Sequence, residues 1–360
     1  MGALRSRQAV EIDGSRGEGG GQVLRSALAL SLVTGRAARI TNIRARRPKP
    51  GLAAQHLKCV EAAARVGDAE VEGARLGSSS LAFSPRSIRP GDFRLDIGTA
   101  GSTSLVLQTI FLPLSLCGAP STFSITGGTH VPWSPCFHYL EDHWLRFLRE
   151  AGFDAALTLA QAGFYPQGGG RIEGTVRPVS RIVPIRLTAR GPLEKIRGVS
   201  AAANLDLSVA ERQRDQALRR LAGRCSAIEI DVVQLPSRFK GTMLLLAGEF
   251  EAGRCCFTAL GERGKPAERV ADEAVDGIEE FLETDGAVDH FLADQLVLPL
   301  AFASGVSEIR TSRVTQHLIT NADVVREFLP ALIRIDGAVG KPGVVRIEGI
   351  GLEEVERRCV

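Results

Sequence analysis

Residues 12–35, IDGSRGEGGGQVLRSALALSLVTG, place an apolar strand, a run of glycines and a helix in immediate succession. The backbone N–H groups of Gly19, Gly20 and Gly21 then lie free near a helix start, where they can bind an anion. Glu18 and Arg25 bracket the run. A carboxylate beside a phosphate cradle can hold a divalent metal, and an arginine can grip a second phosphate. The chemistry suggested is the holding of phosphorylated ligands. A tight turn that merely connects two elements would use the same glycines, so the run takes its meaning from its neighbours.

Three loops carry the remaining unusual residues. The first, RARRPKPGLAAQH, sets Arg44, Arg46, Arg47 and Lys49 close together and continues into Gln55 and His56. Pro48 and Pro50 stiffen it. Closely spaced guanidinium groups suit a polyphosphate or the end of a nucleic acid, and they equally suit a solvated surface. The second loop is GGTHVPWSP, Gly127 to Pro135. The third is VTQHLITN, with His317 just ahead of a helix expected to be capped by Thr320 or Asn321. Each loop feeds a helix N-terminus, whose partial positive charge favours phosphate. A histidine in that position is a candidate nucleophile; as a lone residue it also fits a satisfied polar role.

The elements that must position these loops recur. Helices are expected over Gln22 to Val33, Ser104 to Leu116 and Leu292 to Ala303, each followed by glycine. Strands follow in ARITNIRA from Ala38, STFSIT from Ser121 and SEIRTSRV from Ser307. A second helix in each copy shows the helical period: Leu57, Val60, Ala64; Leu140, Trp144, Phe147, Leu148; Val325, Phe328, Leu329, Leu332. Strand pairs are expected from Ala69 and from Gly343. The reading is an α/β chain of three β-α-β-α-β-β units forming a large domain, with a smaller α/β domain inserted before the third. The boundaries are 9–185 for units one and two, 186–283 for the insert and 284–356 for unit three. Within the insert, strands are expected at 196–203, 227–233, 242–250 and 254–260, and helices at 207–221 and 267–281.

Composition bounds the class. Of 360 residues, 44% are hydrophobic and 24% charged, as in ordinary globular chains. No apolar run reaches membrane-spanning length and no signal-peptide core is present, so the expectation is a cytoplasmic protein with no membrane contact. The formal charge of +3 is too small to imply nucleic-acid binding by itself. The seven cysteines show no CxxC spacing, which predicts reduced, mostly buried thiols. The six histidines form no familiar metal-ligand spacing; His138 and His143, five apart, would not share a helix face.

The strings GEGGGQVLRSALALS, IRARRPKPGLAAQHL, FLADQLVLPLA and TQHLITNADVV, in this order, resemble the RNA 3′-terminal phosphate cyclase family. GTAGSTSLVLQT from Gly98 and GGGRIEGTVRPV from Gly168 extend the resemblance over nearly the whole chain. It implies the repeat architecture, a fold type shared with enolpyruvyl transferases, and an ATP-dependent conversion of an RNA 3′-phosphate to a 2′,3′-cyclic phosphate through a histidyl-AMP intermediate. By the same resemblance, His317 is the nucleophile and Glu18 the ligand of a divalent metal (Mg or Mn). Arg25, Arg44, Arg47 and Gln55 then serve the phosphates and the RNA end. Gln108, Pro135, Phe291, Leu292, Ala293, Asp294 and Gln295 form the ATP pocket. Many family members have tyrosine where this chain has Phe291, which keeps stacking and loses a hydroxyl. No obligate protein partner is expected. The role of His56, loop-ordering or RNA contact, stays open.

Overall fold

The first helix shows how local sequence sets these elements. α1 (Gly21–Thr34) starts after a strand, β1 (Val10–Asp13), and stops where Gly35 takes φ 64° and its N–H bonds Leu32 O. Left-handed backbone of that kind is open to glycine at little cost. α1 is buried on nearly every side from Val23 to Thr34, as a helix apolar all round must be. The computed structural model describes residues 9–17 and 19–353. Glu18 and Cys359, and residues 354–356 of the expected third unit, lie outside them.

The chain continues through β2 (Ala38–Thr41), α2 (Ala54–Gly67), β3 (Glu70–Glu72) and β4 (Leu81–Ser84). These make a sheet ordered β1-β2-β4-β3, its first pair parallel and the other two antiparallel. Next come β5 (Asp92–Asp96), α3 (Thr103–Ser115), β6 (Ser121–Gly127), α4 (Phe137–Tyr139), a π-helical turn (Leu140–Trp144), α5 (Leu145–Glu150), β7 (Asp154–Gln161) and β8 (Gly170–Arg177). The second sheet is ordered β5-β6-β8-β7 with the same sequence of pairings.

β9 (Arg186–Leu187) is followed by a self-contained stretch. β10 (Leu193–Ala203), α6 (Ser208–Leu221), β11 (Ile228–Leu235), β12 (Gly241–Phe250), β13 (Arg254–Leu260) and α7 (Ala267–Leu282) form a sheet ordered β11-β10-β12-β13 with two helices packed on it. They enclose an apolar core of their own, with Ile196, Leu246, Val275, Ile278 and Phe281 buried in it. α8 (His290–Leu300), β14 (Val306–Thr311), α9 (Gln316–Phe328), β15 (Leu332–Asp336) and β16 (Gly343–Glu348) complete the chain. Their sheet, β15-β16-β14-β9, takes its parallel edge from β9. Arg186 and Leu187, expected at the start of the insert, thus pair with a strand more than a hundred residues later. The fold is mixed α/β.

Three local expectations change. Leu332, placed on a helix face by its spacing, opens β15 instead: Pro330 cannot continue a helix, and α9 ends at Phe328. The segment from Gly343 supplies one strand, β16, whose antiparallel partners, β15 and β14, both lie upstream. The strand from Ala38 stops at Thr41, because Asn42 and Arg44 take φ 51° and 54°.

The large core lies among the helices. α1 packs on α2, α3 and α9, and α8 packs on α9. Leu24, Leu28, Leu107, Ile110, Leu296 and Val325 are buried there. α3 and α8 each carry a proline in the last turn, Pro113 and Pro299. One polar chain crosses this core: Ser26 Oγ donates to Asn321 Oδ1 at 2.6 Å, and Asn321 Nδ2 donates to Asp294 O at 2.9 Å. It joins α1, α9 and α8. Asn321→Ala removes the acceptor of the Ser26 hydroxyl and a side-chain donor to the Asp294 carbonyl and should lower stability by about 1–3 kcal/mol in urea denaturation. Ser26→Ala combined with Asn321→Ala should cost clearly less than the sum of the single changes; strict additivity would deny the coupling.

Candidate active site

The glycine run ends in close approaches that a side chain would block. A Cβ on Gly21 would strike His56 Nε2 and Arg25 Nη1, and one on Gly20 would lie 3.0 Å from Arg47 Nη2. Gly20 is the N-cap of α1, supplies no side-chain acceptor, and no acidic residue stands in the first turn. The N–H donors of that turn therefore stand beside the guanidinium groups of Arg25 and Arg47 and the ring of His56, while the Gly19 N–H, expected to be free, donates to Arg16 O at 3.0 Å. Arg25 is half-buried and donates to Gln22 Oε1 at 2.7 Å. Arg44 is fixed within its own loop by donation to Gly51 O at 2.9 Å.

Charge and burial act strongly on His56. Burial first, then Arg25, Arg44 and Arg47, push its pKa down to about 3. Its Nδ1 is buried without a hydrogen-bond partner. Neutral imidazole among three guanidinium groups, at an uncapped helix start, is an environment that an anion would relieve. Gln55, one residue earlier, donates to Ser102 O at 3.2 Å and leaves its Oε1 buried and unbonded.

Beside this cradle is a cavity of about 730 Å3. Its wall includes Arg25 and Gln22 of α1, Gln108 of α3, Pro135, Phe291, Asp294 and Gln295 of α8, and His317 of α9. Thr315 caps α9 by accepting from Leu318 N at 3.0 Å, so His317 stands inside the first helical turn. The expected caps, Thr320 and Asn321, lie one turn further on, where Thr320 Oγ1 donates to Gln316 O. Gln108 Nε2 donates to Gln295 Oε1 at 3.0 Å across the cavity wall. Trp133 stands at the rim, 98% exposed, with φ 57°.

Among the expected site residues, Arg25, Gln108, Pro135, Phe291, Asp294, Gln295 and His317 therefore share one cavity. Arg44 and Arg47 belong to the adjoining cradle at the start of α1, where both act on His56, whereas Gln55 is turned to Ser102 O and Gly101 at the start of α3. Leu292 and Ala293 are wholly buried in the apolar core behind the wall. Glu18 lies outside the described residues.

Sequence reasoning missed the groups that hold α8 in place. Asp289 caps α8, its Oδ1 accepting from Phe291 N at 3.0 Å and Leu292 N at 2.9 Å. Its Oδ2 accepts from Cys256 N at 3.2 Å and faces His143 Nε2 at 2.7 Å, both side chains of the pair fully buried from water. Burial opposes ionisation of Asp289, but His143 and the helix N–H groups outweigh it and hold the carboxyl below its usual range. His143 reaches it from the π-helical turn. Asp289 preceding an apolar run is a readable capping signal; its partner, distant by 146 residues, is not.

Fold and cavity together define an α/β protein in which a cluster of glycines and arginines at a helix start opens on a larger pocket. The chain belongs to the RNA 3′-terminal phosphate cyclase family, whose model matches residues 16–335. It is 47% identical over 330 residues to the RNA 3′-terminal phosphate cyclase of Archaeoglobus fulgidus, covering 91% of this chain and 98% of that one. The protein of the same name from Methylococcus capsulatus is 44% identical over 348 residues, covering 94% and 96%. Among solved structures, the enolpyruvyl transferase NikO from Streptomyces tendae aligns over 97% of this chain and 83% of its own, at 13% identity and a TM-score of 0.27. No helix among the described residues is long and apolar enough to cross a membrane.

The depressed titration of His56 has a thermodynamic sign. Its ordinary pKa is 6.5, so between pH 6.5 and about 3 the unfolded chain binds a proton that the folded chain refuses. Stability falls as pH drops through that window, by up to about 1.4 kcal/mol per pH unit for each such group. His56→Gln should flatten the decline between about pH 6.5 and about pH 5, measured by urea denaturation. Inorganic phosphate should raise the His56 pKa in an NMR titration; an unchanged value would leave the cradle without an anion.

Proposed function

We propose that this protein converts an RNA 3′-terminal phosphate to a 2′,3′-cyclic phosphate using ATP. It acts as a ligase-class enzyme that releases AMP and pyrophosphate. The observation that carries the reading is the single cavity in which His317 stands with Gln108, Pro135, Phe291, Asp294, Gln295 and Arg25. Family membership and the names of the relatives support it. We read the three sheets of like pairing order as three copies of one unit, with the 193–282 stretch inserted ahead of the third.

In this reading an imidazole nitrogen of His317 attacks the α-phosphorus of ATP. A P–N bond forms and pyrophosphate leaves. An oxygen of the RNA 3′-phosphate then attacks the same phosphorus, displacing the imidazole and making a mixed anhydride. Last, the 2′-hydroxyl attacks the RNA phosphorus, loses its proton to water and expels AMP. The 3′-phosphate alone lacks a good leaving group, and adenylylation supplies one. Ring closure is intramolecular and gains the corresponding entropic advantage.

Pro135 and Phe291 are apolar surfaces suited to the adenine, with Asp294 and Gln295 as polar contacts beside them. Leu292 and Ala293 would act from behind, as the packing that sets the start of α8. Arg25 is placed between cavity and cradle, where it suits ATP phosphates. Arg44, Arg47 and Gln55 suit the RNA end. A divalent ion, Mg or Mn, held with Glu18 would neutralise triphosphate charge.

Incubation with α-labelled ATP and a divalent metal should label the protein through an acid-labile, base-stable bond. His317→Ala should lose that label entirely, and equal labelling would remove His317 as nucleophile. Arg47→Ala should slow cyclisation of RNA 3′-phosphate by about tenfold or more while self-adenylylation persists, if one charge-assisted contact is lost. Equal loss in both steps would assign the arginine to ATP.

A further inference from the structure

The loop 127–135 and the short helix after it bring together three side chains that the reaction above does not use. His130 Nε2 lies 2.9 Å from His138 Nδ1. Cys136 Sγ completes a group in which all three potential ligand atoms lie within 4.8 Å of one another. His130 is fully buried and Cys136 nearly so, and both line the large cavity. We propose that His130 Nε2, His138 Nδ1 and Cys136 Sγ form a binding site for one zinc ion in the wall of that cavity.

Ligand chemistry favours zinc. Two imidazoles and a thiolate suit a borderline-soft ion, and they do not suit Mg or Ca, which take oxygen. Zinc at about 2.0–2.1 Å from nitrogen and about 2.3 Å from sulfur needs ligand atoms about 3.3–3.8 Å apart. The nitrogens must part slightly from their hydrogen-bonded spacing and the sulfur must draw in. Three protein ligands leave one tetrahedral position for water or a group in the cavity.

The surroundings fit such an ion. Both imidazoles are neutral at pH 7, the form that coordinates: burial and the neighbouring His138 hold His130 far below its usual value, and burial pushes His138 down to about 4. His130 Nδ1 lies 2.7 Å from Thr129 Oγ1, which itself accepts from Gly163 N at 2.9 Å. With its proton on Nδ1, His130 donates to that hydroxyl and turns the lone pair of Nε2 toward the ion, the usual outer-shell arrangement of a metal-bound histidine. The ring is held flat against Phe164, with centroids 5.0 Å apart and planes 18° from parallel. Cys136 Sγ accepts from Tyr139 N at 3.4 Å at the start of α4. Burial raises the thiol pKa, so the ion must displace the thiol proton to solvent, and the N–H donor then serves the thiolate. The spacing, H-x5-C-x-H, matches no familiar motif, which is why the sequence alone does not disclose it.

The test adds Co2+ to the full-length protein without nucleotide, so no triphosphate competes for the ion. One equivalent should produce the visible bands of tetrahedral cobalt together with a thiolate-to-cobalt charge-transfer band in the near ultraviolet, and Zn2+ should abolish both. Cys136→Ser should lose the charge-transfer band; serine can accept from Tyr139 N as the thiol does, so the helix start is preserved. His138→Gln, at a half-buried position, should weaken Co2+ binding about tenfold or more and carries the test if the serine variant fails to fold. Absence of the charge-transfer band in folded wild-type protein, its persistence in Cys136→Ser, or unchanged affinity in His138→Gln would overturn the site.

Discussion

The structure depends on one buried hydroxyl–amide contact, Ser26 to Asn321, and its continuation to the carbonyl of Asp294. Three helices distant in sequence carry the cavity wall, and apolar packing alone would let them slide. A directional polar chain fixes their relative rotation and height. Arg25 precedes Ser26, His317 lies one helical turn before Asn321, and Asp294 is itself in the wall. Arg25, His317 and the cavity residues of α8 are thus within one turn of a member of the chain. Asp289 adds a second fixed point by tying the first turn of α8 to β13 and to the π-helical turn.

Around α1 the protein concentrates like charge. Arg25, Arg44 and Arg47 all disfavour protonation of His56, whose pKa they and burial depress together. Mutual repulsion of this sort costs stability, and a bound anion would offset it. Because Arg25 and Arg44 are anchored by Gln22 and Gly51, less reorganisation would be needed on binding. The glycines matter here through what they lack: side chains at 20 and 21 would occupy the space that the cationic groups use.

Much of this organisation is legible in the amino-acid sequence. The α/β class, helices α1, α3 and α8 and the strand at 254–260 follow from periodicity and glycine stops. Gln55 and the arginine cluster were marked by composition, and His317 by its place near a helix start. What was not legible is long-range. Nothing near Ser26 announces a partner 295 residues away, and nothing near His143 announces Asp289. The parallel edge supplied by β9 is two residues long, too short to give a period. Leu332 failed for a simpler reason: helical spacing was extended across Pro330, where the backbone cannot follow it.

The chain has two tryptophans, and the fold sends them to opposite environments. Trp144 is packed edge-on against Phe111 in the core, whereas Trp133 projects into water at the mouth of the cavity. A dissolved quencher such as iodide therefore reaches one emitter and not the other. The quenchable part of the tryptophan emission comes from a single address at the pocket entrance, so occupancy there can be followed optically without attaching a dye.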